Sequence, residues 1–131
     1  MSEKSLESFQ TQVSDLLIRH RSFLDVTSKF QESNARVNRA LMKSVTDCGC
    51  IKVDAKKQNY PDNSKVSEWS AQLSTHLDGK LCDHCHDVIS AEIGKNIFYL
   101  TSVCNLLDLK LADVLEKESD RLFTLGVYHL R

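Results

Sequence analysis

Proline and glycine are scarce in this 131-residue chain, which holds one proline and four glycines. So few breakers exclude a domain of many short strands and favour long helices. Long apolar runs are missing too. None approaches the roughly 18 residues that span a bilayer, so no transmembrane segment is expected. Charge of one sign is not in excess: 17 Lys and Arg stand against 18 Asp and Glu, a formal net charge of −1. That balance supplies no global field toward nucleic acid or an anionic membrane, and neither is expected as a partner. The opening Met1-Ser2-Glu3-Lys4-Ser5 is polar and no apolar stretch follows it. This predicts no secretory leader and a cytoplasmic protein.

What is present is helical periodicity in a length that suits one domain, residues 1–131. Residues 1–47 contain neither glycine nor proline. Leu6, Phe9, Val13, Leu16, Leu17 and His20 form one apolar stripe. Ser22 and Asp25 offer a capping box, which puts a break near His20–Arg21. Val26, Phe30, Ser33, Val37, Leu41, Ser44/Val45 and Cys48 form a second stripe. The stripes stay nearly in phase, so one long helix and two shorter ones are both open. Gly49 ends this region, and Ile51-Lys52-Val53-Asp54 alternates like a short extended piece. Asn63 or Ser64 is placed to cap a short helix carrying Val66, Trp69, Leu73 and Leu77, stopped by Asp78-Gly79. A long helix follows from Asp83 to Leu107, with Cys85, Ile89, Ile93, Asn96/Ile97, Leu100, Cys104 and Leu107 inward. Another runs from Asp108 to Gly126, and Val127–Arg131 is a tail. The expected fold is all-α: an antiparallel bundle of four to five helices, with 51–81 as a loop and short-helix insertion.

The five cysteines are not spread evenly. Cys48-Gly49-Cys50 and Cys82-Asp83-His84-Cys85 form two close pairs with 31 residues between them. In a reducing compartment such pairs read as ligands rather than disulfides. Each pair can set two sulfurs on one ion, and two pairs complete a closed tetrahedral shell that suits Zn²⁺. Cys48, Cys50, Cys82 and Cys85 are therefore the candidate metal ligands, and the ion would staple two helix ends around a 51–81 loop. His76, His84 and His86 lie close enough in sequence to replace one of them, although ordinary surface roles explain them as well. Cys104 sits on a helix stripe and reads as core. An iron–sulfur cluster is a further option for four cysteines. The spacing is similar to the zinc switch of the redox-regulated bacterial holdase chaperone. That resemblance rests on four residues and implies oxidation coupled to zinc release.

Glu92-Ile93-Gly94-Lys95-Asn96-Ile97-Phe98-Tyr99-Leu100, with Cys104 to Glu116 after it, carries a wider resemblance. The stretch resembles the second half of the MazG-like, all-α nucleoside triphosphate pyrophosphohydrolases. Those enzymes carry an E-x-x-D motif in a helix reading roughly ELGDVLFYL, followed by a turn and a closing helix. The chain also looks like a small bacterial family that shares the paired cysteines and has no assigned activity. The MazG-like resemblance implies a bundle fold, a homo-oligomer (dimer or tetramer), a nucleotide ligand, and Mg²⁺ held by four carboxylates on facing helices. Glu92 falls on the first acidic position. Lys95 stands where the aspartate belongs, and the earlier helix offers Asp47 alone. A lysine within a magnesium cluster repels the ions. The expectation is a zinc-binding, MazG-like helical protein of binding or regulatory role, without Mg²⁺-dependent hydrolysis. Two alternatives stand beside it. One is a divergent pyrophosphohydrolase using Asp47, Glu92 and Lys95, with Lys95 touching phosphate as a point charge. The other is a thiol/zinc redox sensor.

Overall fold

The computed structural model of the protein describes residues 2–60 and 66–126. Four helices carry it: α1 (Glu3–Leu16), α2 (Phe23–Lys43), α3 (Asp83–Leu106) and α4 (Leu111–Leu125). A hairpin of β1 (Ile51–Val53) and β2 (Leu77–Gly79) sits between α2 and α3. The N-terminal region is two helices. Leu17 leaves α1 with an extended backbone, and Ser22 caps α2 by accepting from the Leu24 N–H at 3.3 Å. Asp25 in the first turn of α2 and Lys43 in its last complement the helix dipole.

The centre of the fold is the antiparallel pair α2 and α3, whose seam is closed by small and polar groups. The Asn96 amide donates to the Ser33 hydroxyl at 3.0 Å and to Asn34. Val26 is fully buried at one end of the seam, while Ser44, Cys85 and Ile89 close the other. At the end of α3 remote from the cysteines, α1 packs across it and α4 packs on α1. Val13 and Leu17 are buried there, together with Thr101 and Ser102. Those two hydroxyls bond back to the Ile97 and Phe98 carbonyls, so their burial leaves nothing unpaired and permits close approach.

Three expectations are corrected. The stripe Ile93, Ile97, Leu100 and Leu107 was expected inward but is 40–52% exposed. The inward residues of this stretch are Thr101, Ser102 and Cys104, because α1 covers that side. Helix α4 starts at Leu111, not Asp108. Asp108 takes a left-handed φ of 56°, and the Leu109 N–H returns to the Cys104 carbonyl, which closes α3. Lys110 offers no cap, so Gln10 of α1 supplies one: its Oε1 accepts from the Leu111 N–H at 2.8 Å while its Nε2 donates to the Leu109 carbonyl. Finally, the helix expected through Trp69, Leu73 and Leu77 is a 3₁₀ turn, Val66–Ala71, and Leu77 belongs to β2. The Gln58 side chain takes both the N–H and the carbonyl of Ser74, which a helix would have used. Antiparallel pairing of Leu77 with Val53 then takes over. The caps at Asn63 or Ser64 and the tail Val127–Arg131 lie outside the described residues.

Candidate metal centre

Helix α2 does not stop cleanly before the first cysteine pair. It widens into a π-helical turn, Ser44–Cys48, in which the Gly49 N–H bonds the Ser44 carbonyl at 2.9 Å. Such widened turns recur at functional sites. Gly49 then takes φ 78°, a left-handed conformation that glycine adopts freely, and reverses the chain into Cys50 and β1. Strand β2 pairs back on β1 with Gly79 opposite Ile51. This hairpin returns the chain to the same spot, where Cys82 caps α3 by accepting the Cys85 N–H on its sulfur at 3.4 Å. Cys85 follows one turn into the helix.

The result brings all four predicted cysteines together. The sulfurs of Cys48, Cys50, Cys82 and Cys85 lie within 4.8 Å of one another, and those of Cys48 and Cys82 are 3.7 Å apart. Tetrahedral zinc with Zn–S bonds near 2.3 Å needs sulfur separations of about 3.8 Å. The donor set is thus already gathered at the scale of one ion, and it could hold a metal such as zinc. Cys48 is exposed, Cys50 and Cys82 are half-buried, and Cys85 is buried. None of the five cysteines forms a disulfide. Cys104 is apart from the cluster in the core, where burial raises its pKa.

The electrostatics differ across the cluster. The Cys85 N–H bonded to the Cys82 sulfur stabilises its thiolate and draws its pKa down to about 7. Burial pushes Cys85 up to about 12, and the neighbouring thiols add to this. For Cys48, the Cys50 backbone lowers the pKa, but the Cys82 and Cys50 thiols and burial outweigh it, and the net direction is upward. A metal held here would be bound by thiolates, so its binding would expel protons from Cys48 and Cys85 at neutral pH. Affinity for Zn²⁺ is therefore expected to rise from pH 6 to 8, steepening below pH 7 where Cys82 itself takes a proton. Competition with a zinc indicator over that range checks this, and a pH-independent affinity would contradict it.

Of the weaker catalytic candidates, Glu92 and Lys95 are neighbours, while Asp47 lines a different cavity from Glu92. Asp47 lines a cavity of about 270 Å³ with Lys43, Cys48, His84 and Val88. Glu92 lines a groove of about 500 Å³ between α2 and α3, with Glu32, Arg36, Arg39 and Lys43. One of its carboxylate oxygens is buried with no hydrogen-bond partner among the described residues. Lys95 reaches the other at 3.9 Å. Glu32, which the sequence reading passed over, faces this groove from α2, where Lys29 and Arg36 hold its pKa down. Two carboxylates amid Lys29, Arg36, Arg39, Lys43 and Lys95 make a poor magnesium cluster. Among the described residues, His76, His84 and His86 are not in the converging ligand group, and no helix is long and apolar enough to cross a membrane.

Compared with known proteins, the chain matches no family model, no curated protein and no solved structure.

Proposed function

We propose that this chain is a zinc-binding, MazG-like helical protein of binding or regulatory role that does not hydrolyse nucleotides with Mg²⁺. The carrying observation is the four-sulfur cluster, with every sulfur within 4.8 Å of the others. A Zn²⁺ ion there would join the end of α2, the hairpin and the start of α3, and so staple the 51–81 segment to the helix pair. The ion would supply folding energy rather than chemistry, since four thiolates leave no open position for substrate. The antiparallel pairing of α2 and α3 supports the MazG-like reading, and the cation-rich groove at Glu92 and Lys95 supports the lack of hydrolysis. A homo-oligomer, dimer or tetramer, belongs to the same reading, as does a cytoplasmic setting that keeps the thiols reduced.

A second reading is favoured by one observation. Cys48 is exposed and its sulfur is 3.7 Å from that of Cys82. A peroxide reduced to water would take two electrons from these thiolates, join them in a disulfide and release the metal. That is the redox-sensor alternative.

The test is metal content and activity together. Protein purified without added metal or chelator is expected to hold about one zinc per chain. It is expected to release no pyrophosphate from nucleoside triphosphates with Mg²⁺ or Mn²⁺. Steady pyrophosphate release that is lost in Glu92→Gln would instead establish the divergent hydrolase. Zinc loss with a reversible Cys48–Cys82 disulfide under mild peroxide would establish the sensor.

A further inference from the structure

Helix α4 leaves the body of the protein. Beyond Ala112 its residues are exposed, apart from half-buried Glu118. Phe123 is 93% exposed. It shares one helix face with Glu116, seven residues earlier, and Asp113 and Asp120 flank that face. These three acids have no ion-pair or hydrogen-bond partner among the described residues.

The α2–α3 groove shows the opposite pattern. Arg36, Arg39 and Lys43 rim it, outnumbering the two carboxylates Glu32 and Glu92, and Ala35, Ala40 and Val88 supply an apolar floor. Arg36 is shared with Glu32 at 3.2 Å, whereas Arg39 and Lys43 have no partner among the described residues. The three cations follow an i, i+3, i+7 spacing. Asp113, Glu116 and Asp120 follow the same spacing. In parallel helices each acid then meets one cation. The same register carries Phe123 level with Thr46, beside the cavity where Ala40, Val88 and Cys85 meet Lys43, Asp47 and His84.

The acids of α4 and the cations of the groove belong to one and the same sequence, which points to a second copy as the occupant.

We propose that α4 of a second copy docks in the α2–α3 groove, and reciprocally. Its Asp113, Glu116 and Asp120 face Arg36, Arg39 and Lys43, and its Phe123 enters the cavity beside the cysteine cluster. The inference rests on the self-association proposed above and names the surface that performs it. The interface is charge-paired at its rim, so it weakens with salt.

Sedimentation velocity on the full chain tests this. The wild type is expected to be a dimer at micromolar concentration. Arg39→Glu/Lys43→Glu and Glu116→Lys/Asp120→Lys chains are each expected to be monomers with unchanged helix content. Mixed together they are expected to form a heterodimer, because both of its contacts are again opposite in sign. Phe123→Ala is expected to weaken the wild-type dimer on the order of tenfold or more. A monomeric wild type overturns both self-association and this surface. A dimer that both charge reversals leave intact overturns this surface alone, and so does a mixture that fails to pair.

Discussion

Replacing Cys82 by serine is expected to abolish zinc binding and to lower the melting temperature of zinc-supplemented protein by more than about 10 °C. The size follows from linkage. A ligand at 1,000 times its dissociation constant stabilises the folded state by about 4 kcal/mol. In a domain of this size each kcal/mol moves the midpoint by several degrees. Serine is the sharpest choice of substitution because Cys82 has two roles. It is the N-cap of α3, accepting the Cys85 N–H on its side chain, as well as a candidate ligand. Serine is a preferred N-cap, so the capping bond survives and only the thiolate is removed. Calorimetry with and without chelator separates the effects. With chelator, wild type and variant should melt within about 1 °C or 2 °C of each other. A variant that melts like wild type in zinc would show that the thiolate carries no metal.

Gly79→Ala is expected to weaken metal binding although residue 79 is no ligand. Gly79 takes φ +90°, and a Cβ built there would stand 2.5 Å from the Cys50 carbonyl oxygen. That oxygen is backbone, so relief requires β2 to move off β1. The hairpin is what returns Cys82 to Cys50, and residues that position metal ligands are typically worth 10–100-fold in affinity. A loss of about that size is expected, measured by competition with a chelator of known affinity. Gly49→Ala is the control. Gly49 has φ +78° but nothing within 4 Å of its Cβ position. Its cost is the left-handed backbone alone, about 1–2 kcal/mol. Equal effects at the two glycines would show that the close approach at Cys50 does not matter.

The contrast between these glycines marks how far the sequence could be read. The helix ends at Gly49 and Gly126, the cap at Ser22 and the long α3 were all legible, because capping and periodicity are local. The gathering of the four cysteines was legible from their pairing. How the chain returns from Cys50 to Cys82 was not. Asp78-Gly79 reads equally well as a helix stop or as the end of a returning strand, and only pairing with Ile51-Lys52-Val53 decides between them. The cap that Gln10 gives α4 joins residues about a hundred positions apart, and no local pattern announces it. The burial of Thr101 and Ser102 was hidden for a related reason. Their hydroxyls are satisfied within α3, so they pack under α1 as small residues, although the sequence presents them as polar. The groove at Glu92 was half legible. Lys95 signalled that a carboxylate was missing, but no local pattern places Arg39 and Lys43 of α2 around the same groove as Glu92 of α3.

The most direct measurement is X-ray absorption at the zinc edge on protein purified without chelator. Four thiolates around one ion predict a single shell of about four sulfurs near 2.3 Å. A shell of nitrogen or oxygen near 2.0–2.1 Å, or zinc bound equally well by the Cys82→Ser chain, would contradict the four-cysteine centre.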